Sequence, residues 1–294
     1  DVHKDNVVAC VRRLQPRQRS PDLQTRTFDT HTAALLRLAD WLSAEGVTHV
    51  AMESTGVYWR PIWNLLEGRF ILMLVNAQHI KQVPGRKTDV KDCAWIAQLL
   101  QHGLLRGSFV PPTAQRQLRE RTRQRRQLIH TRCDVSNRVQ KVLEDANIKL
   151  AGVTTDVLGQ SGWDMIEALI AGEQDVGAMA NLARGRLRVK IPALREALQG
   201  RVTGHHRFLL RSLLDQVTEL NAQIERLSAR IEDVLPSDYR DARTRLSTIP
   251  GFGARVAECV LAEVGADMGV FPSGAHLASW AGMCPGPRQS AGKQ

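Results

Sequence analysis

Four acidic side chains in the first third of the chain have the types and spacing of a metal site. Asp1 opens the chain, and Glu53 directly follows a short apolar run. Asp89 and Asp92 lie three apart in one predicted helix, about 60° apart around its axis and so on one face. Carboxylates are the hard oxygen ligands that Mg²⁺ prefers, and two such ions can clamp the attacking and leaving oxygens of a phosphodiester. This set of acids suits metal-assisted phosphoryl transfer.

Each acid taken singly also has a structural interpretation. Asp89 and Asp92, near a helix start, can simply offset the helix macrodipole. Glu53, with Ser54 and Thr55, can cap the helix that follows. The residue types alone leave both interpretations open.

The elements that would position these acids alternate between strands and helices through the first 110 residues. The sequence predicts strands at Val2 to Arg13, Thr25 to Phe28, Val47 to Met52 and Phe70 to Val75, and helices at His31 to Glu45, Val57 to Glu67 and Thr88 to His102. Such alternation predicts an α/β domain with a mixed sheet, which we bound at residues 1–112.

Positive charge is concentrated directly after this domain. The chain has a net charge of +10, and ten Arg or Lys against four acids lie between Gln115 and Leu150. No Gly or Pro interrupts the segment, so residues 113–150 are predicted to form one long basic helix. A basic helix favours a polyanionic partner, although a solvated helix face is the alternative.

Composition narrows the class of protein further. The chain is 43% hydrophobic and 24% charged, values that exclude wholesale disorder. No apolar run approaches the roughly 18 residues of a membrane span, and no signal peptide is visible. The five cysteines lack disulfide or zinc spacing. We therefore expect a soluble cytoplasmic protein without a membrane partner.

The second half is predicted to be mainly helical. Residues 151–204 form a helical insertion to which the sequence assigns no chemistry. Residues 205–236 carry a heptad seam, made by Leu210, Leu213, Val217, Leu220, Ile224, Leu227, Ile231 and Val234. Such a seam predicts a coiled coil that joins subunits, and a helix packed within its own domain is the alternative.

The last section, residues 237–294, contains two further candidate sites. The turn Ile249-Pro250-Gly251-Phe252-Gly253 opens a helix and leaves backbone N–H groups free to bind a phosphate, as in helix-hairpin-helix elements. A tight interhelical turn needs the same glycines. Further on, Ser290 lies in a loop between Arg288 and Lys293, which as an isolated observation indicates only a loop serine.

Five local strings, taken together and in order, resemble a known family. They are Asp1-Val2-His3-Lys4, Met52-Glu53-Ser54-Thr55-Gly56-Val57-Tyr58-Trp59, Lys87-Thr88-Asp89-Val90-Lys91-Asp92, Ile249-Pro250-Gly251-Phe252-Gly253, and Trp280-Ala281-Gly282-Met283-Cys284-Pro285-Gly286 through Ser290-Ala291-Gly292-Lys293. The order of the acids is that of RNase H-like, RuvC-type nucleases. The whole set closely resembles the DEDD transposases of the insertion sequence 110 family, which are bridge-RNA-guided DNA recombinases.

The resemblance implies an activity and a role for each motif. Asp1, Glu53, Asp89 and Asp92 would bind Mg²⁺ in a RuvC-like domain, and Ser290 would be the nucleophile of a C-terminal serine transposase domain. The implied partners are double-stranded DNA, a guide (bridge) RNA and further copies of the chain in a homodimer or homotetramer, acting at the nucleoid. The residues expected to bind nucleic acid are Arg116, Arg119, Arg123, Arg126, Gly251, Gly253, Arg288 and Lys293.

Two other functions remain open from the sequence. One is a RuvC-type junction resolvase in which water attacks and Ser290 is structural. The other is a non-enzymatic, basic coiled-coil protein that binds nucleic acid. The sequence also lacks the short apolar run that normally precedes the first acid in the family, and it ends four residues after Ser290. The resemblance therefore predicts a longer natural protein, with a truncated transposase domain here.

Overall fold

A computed structural model of the chain describes residues 1–13, 20–76 and 92–283, apart from the side chain of Asp92. The chain divides into two compact units, residues 1–110 and 111–294. The predicted candidate residues Asp89, Arg288, Ser290 and Lys293 lie outside the described residues.

The first unit is an α/β domain, as the sequence predicts. Its elements in chain order are β1 (Asn6–Arg13), β2 (Asp22–Asp29), α1 (Thr32–Ala44), β3 (His49–Glu53), α2 (Trp59–Leu66), β4 (Ile71–Val75), α3 (Asp92–Gln101) and β5 (Gly107–Ser108). The strand predicted from Val2 to Arg13 is a hairpin instead, because Val2 turns back to pair with Val7.

The described strands form two sheets. β1 pairs antiparallel with β2, from Asn6 opposite Asp29 to Arg13 opposite Asp22. β3 pairs parallel with β4, which pairs antiparallel with the short β5. The second sheet is mixed, as predicted, but within the described residues no strand pairing joins it to β1.

Apolar side chains of α1 and α2 form the core of this unit. Leu38 and Trp41 of α1 and Leu66 of α2 are buried together with Met52 of β3. The apolar residues of α1 recur every three or four positions, so one face of the helix packs inward. This packing holds β3, and with it Glu53, in place.

The second unit is helical. Its elements are α4 (Thr113–Asp145), α5 (Leu150–Val153), α6 (Gln160–Ala171), α7 (Val176–Ala180), a 3₁₀ helix (Gly185–Lys190), α8 (Ile191–Ala197), α9 (Gly204–Val234), α10 (Ser237–Leu246), α11 (Ala254–Val264), a 3₁₀ turn (Met268–Val270) and α12 (Gly274–Trp280). The basic helix α4 ends before residue 150 because Asn147 takes a left-handed conformation, with φ of 57°.

The two long helices, α4 and α9, pack as an antiparallel hairpin. Near one end, Leu118 of α4 is buried with Ile231 of α9. In the middle, Arg132 of α4 donates a hydrogen bond to Asn221 of α9. At the other end, the carboxylate of Asp145 is hydrogen-bonded to the Nε2 of His206. The two helices therefore run in opposite directions.

This hairpin changes the interpretation of the heptad seam. The predicted helix is present, but its seam residues Leu210 and Val217 are buried in one cluster with Val135 and Val139 of α4. The partner of the seam is therefore a helix of the same chain, which is the alternative that the sequence left open. A seam reports which face is apolar and does not identify the helix that covers it.

No helix within the described parts of the chain is long and apolar enough to cross a membrane.

Candidate active site and nucleic-acid surface

Asp1 is held by a short hairpin. Its amino group donates to the carbonyl of Val8, and its own carbonyl accepts from the Val8 N–H. Its carboxylate lies 3.1 Å from the Nε2 of His3, and its side chain is 18% exposed. A carboxylate that is fixed in position and still reachable is suited to binding a cation.

Glu53 occupies the last position of β3 and is half-buried. The backbone beyond it is fixed, because Ser54 donates to the carbonyl of Val75 on β4. The helix α2 begins only at Trp59, and its N-cap residue, Tyr58, makes no side-chain cap hydrogen bond. The alternative interpretation, in which Glu53 with Ser54 and Thr55 caps the next helix, therefore does not hold.

Contacts at the two ends of β1 show how it runs relative to β3. Arg13, at the end of β1, forms an ion pair with Glu45, which lies shortly before β3 begins. Near its other end, β1 pairs with Asp1 through Val8. Asp1 therefore lies toward the end of β3 that carries Glu53.

The helix α3 has a matching direction. Cys10 of β1 lies next to Cys93, the second residue of α3, and Arg12 donates a hydrogen bond to Gln101, the last residue. The helix α3 therefore begins toward the end of β1 that lies near Asp1. Asp92 is the first residue of α3, so the backbone brings three of the four predicted acidic positions toward one end of this unit.

A cavity of about 510 Å³ is lined by residues of β1, β3 and α3, and Asp1 also lies on its lining. Most of the other lining residues are apolar, including Val11, Met52 and Ile96. Burial raises the pKa of the Cys10 thiol, and neighbouring Cys93 adds to that effect. The thiol is therefore neutral at physiological pH and a poor nucleophile.

Within the described residues, no group of three His, Cys, Asp or Glu side chains is arranged to hold a metal ion. The side chains of Asp89 and Asp92 lie outside those residues. The donor chemistry of Asp1 and Glu53 fits Mg²⁺, because both supply carboxylate oxygens.

Several arginines of the basic helix α4 are bonded to other parts of the second unit and are not free to bind a partner. Arg116 donates to the carbonyl of Pro111. Arg119 and Arg123 both form ion pairs with Glu263 of α11. Arg123 donates to both carboxylate oxygens of Glu263, at 2.7 and 2.8 Å. This hydrogen bonding raises the pKa of Arg123.

Two further arginines of α4 differ from these. Arg126 is exposed and is the clearest remaining candidate for a nucleic-acid contact among the four predicted on this helix. Arg125 is buried, and its guanidinium lies 2.8 Å from the carboxylate of Glu258 on α11. Glu258 and Glu263 are ion-pair partners that sequence reasoning missed, since nothing in their local sequence indicates contact with a helix more than 130 residues earlier.

The predicted glycine turn joins α10 to α11. Gly251 has φ of +84°, which favours glycine, and Phe252 donates to the carbonyl of Ile249 to close the turn. Gly253 is the N-cap residue of α11 and has no side chain that could cap the helix. Because Val256 donates to the Gly253 carbonyl, the N–H groups of Ala254 and Arg255 are those available to a ligand or to water.

Comparisons with known proteins identify the family. A model of IS110-type DEDD transposases, described as "Transposase", matches residues 1–148, half of the chain. A second, described as "Transposase IS116/IS110/IS902 family", matches residues 243–294. The chain belongs to this transposase family. It is thus a relative of enzymes that move DNA, as the motifs predict.

One curated relative of this transposase family is the "Probable family 20 transposase" of Pseudomonas aeruginosa. It is 27% identical over 248 residues, which cover 83% of this chain and 63% of the relative. The chain therefore spans a little under two thirds of the relative's length. The matched segments contain all the predicted catalytic acids and Ser290.

Proposed function

We propose that the chain is the transposase of an insertion sequence, which cuts and rejoins double-stranded DNA through a serine nucleophile. The carrying observation is the order of the two family matches, with the DEDD segment first and the Ser290 segment last. The direction of β1, β3 and α3 supports it, because these elements direct Asp1, Glu53 and Asp92 toward one end of the first unit.

In the proposed reaction, the Oγ of Ser290 attacks a DNA phosphorus. The bond from phosphorus to a sugar oxygen breaks, that oxygen leaves as a hydroxyl with a proton, and the DNA phosphate becomes esterified to serine. A hydroxyl of a second strand then attacks the phosphoserine, restoring both the serine and the DNA backbone. Serine is a weak nucleophile at neutral pH and needs activation.

We assign Mg²⁺ to Asp1, Glu53, Asp89 and Asp92. When bound, Mg²⁺ would supply Lewis-acid stabilisation of the charge that develops on the phosphate oxygens. The acids themselves would fix the position of the reacting phosphate and, without a cation, would repel it. As the resemblance to the family implies, we also propose a homodimer or homotetramer in which one subunit's acids serve another subunit's serine.

The nucleic-acid partners extend this proposal. Arg126, Arg288 and Lys293 would bind phosphates, and Gly251 and Gly253 would present the N–H groups of α11 in a helix-hairpin-helix arrangement. Sequence choice would be delegated to base pairing with a bridge RNA. Because α4 covers the seam of α9, subunits would associate through other faces of the second unit.

A covalent-adduct assay tests the proposal. The chain is incubated with Mg²⁺ and DNA that carries the insertion-sequence ends together with the RNA that copurifies, and is then run on a denaturing gel. The unmodified chain should give a protein–DNA adduct, and both Ser290→Ala and Asp89→Asn should abolish it. Strand cleavage that persists in Ser290→Ala would instead support the junction resolvase, and cleavage unaffected by Asp89→Asn would refute the metal site.

A further inference from the structure

The helical insertion carries a second concentration of positive charge. Between residues 176 and 203 there are six Arg or Lys and a single acid, Glu196. The density of net charge there is similar to that of the basic helix.

The centre of this charge is a short exposed segment, residues 184–190, which we call the basic knuckle. It reads Arg-Gly-Arg-Leu-Arg-Val-Lys, so a cation occupies every second position. Residues 185–190 form a 3₁₀ helix, and Gly185 enters it with φ of +52°. Alternate residues of a 3₁₀ helix point about 240° apart, so the cations project to several sides.

The knuckle is anchored despite its exposure. Ala183, directly before it, is buried, and Leu187 packs against the core of the second unit. After the knuckle, α8 continues with Leu194 fully buried. The cations are therefore displayed on a fixed backbone, which lowers the entropy lost when they bind a partner.

The cations of the knuckle differ in how far they are neutralised. Arg184 pairs with Asp164 at 2.6 Å, and Lys190 donates to the carbonyl of Val153. Within the described residues, no ion pair or hydrogen bond involves the guanidinium of Arg186 or Arg188. Arg119 and Arg123 of α4, by contrast, are neutralised by Glu263.

A cleft of about 310 Å³ adjoins the knuckle. Arg186 and Lys190 line it together with the start of α6, including Ser161. Asp156 also lines the cleft, and its Oδ1 accepts the N–H of Leu158. An anion in the cleft would thus be attracted by Arg186 and Lys190 and repelled by the carboxylate of Asp156.

We propose that the basic knuckle binds the phosphate backbone of a nucleic acid, as a contact separate from the catalytic site. The planar guanidinium matches phosphate oxygens in a two-point geometry. A polyanion suits cations that project in several directions, because successive phosphates can follow them. The inference rests on the proposed function for its choice of a nucleic acid over an acidic protein.

The test is binding of the chain to fluorescent 30-base-pair DNA and to a structured RNA, measured by anisotropy over a salt series. Arg186→Gln combined with Arg188→Gln should lose two phosphate contacts. The slope of log affinity against log salt should then fall by about 1.8, and affinity should fall about 30-fold near 0.15 M salt, on duplex DNA. A loss seen mainly with RNA would assign the contact to the guide.

A matched control removes the same charge elsewhere. Arg226→Gln combined with Arg230→Gln takes two exposed arginines from α9 and should change affinity much less. An equal loss in this control would show a general charge effect and overturn the proposal, as would an unchanged affinity in the knuckle variant. Circular dichroism confirms folding of both variants, and the Ser290 adduct assay separately tests the proposed function.

Discussion

The buried charge pair between α4 and α11 gives the most decisive test of how the helices of the second unit are held together. The side chains of Arg125 and Glu258 are only 3% and 7% exposed, and their charged groups lie 2.8 Å apart. Glu258 also accepts from Arg243 at 2.9 Å, and Arg243 pairs in turn with Glu232 on α9. Three helices thus meet α4 around one chain of alternating charges.

Removing one partner of such a pair leaves an uncompensated buried charge, which costs about 3–5 kcal/mol. Arg125→Met should fall at the lower end, because Glu258 keeps Arg243 as a partner. Glu258→Gln should fall at the upper end, since Arg125 is left buried without an anion. Replacing both, as Arg125→Met with Glu258→Leu, should recover most of the loss.

Urea unfolding followed by circular dichroism measures these changes, because urea does not screen ion pairs as guanidinium does. The control is Glu225→Gln, which breaks an exposed pair with Arg255 and should cost about 0.2–1 kcal/mol. If Glu258→Gln costs no more than this control, the pair does not hold α11 against α4. A double variant no more stable than the singles would show that packing, and not charge, is responsible.

Three further predictions follow from individual side chains. The hydrogen bond from Arg243 lowers the pKa of Glu232, so the stability that Glu232 contributes is present above its unfolded pKa and lost as pH falls through its folded pKa. The melting temperatures of the unmodified chain and Glu232→Gln should therefore converge in acid. Cys10, whose pKa is raised by burial, should react with iodoacetamide far more slowly than exposed Cys133, as peptide mass spectrometry would show; equal rates would contradict this. Gly162→Ala should destabilise the chain by more than about 1 kcal/mol, because the new Cβ would lie 2.1 Å from a backbone carbonyl oxygen, and an unchanged urea midpoint would refute that.

Local sequence patterns predict the elements of the first unit closely. The helix predicted from His31 to Glu45 is observed from Thr32 to Ala44, and the strand predicted from Phe70 is observed from Ile71. Apolar periodicity fixes such elements because it records which face is buried. The hairpin at Val2 was missed, although Asp5 and Asn6 in its turn are residue types that favour turns over strands.

Partners distant in sequence were beyond the reach of the same patterns. A run of arginines predicts charge, but the capture of Arg119 and Arg123 by Glu263 depends on how α11 packs. The seam of α9 likewise predicts burial and leaves open whether α4 or another subunit supplies it. Charge and periodicity describe one element, whereas pairing depends on the whole fold.

The length of the α4–α9 hairpin determines how far apart the elements packed along it lie. Its longer helix has 33 residues and so spans about 50 Å, the length of about fifteen base pairs of duplex. The glycine turn directly precedes α11, which packs alongside the first part of α4 through Arg119, Arg123 and Arg125, and the basic knuckle lies in the subdomain near the other end of the hairpin. The stretch of hairpin between these two regions therefore sets much of the distance between two proposed phosphate contacts, and seven residues added to each helix there would move the contacts about 10 Å further apart.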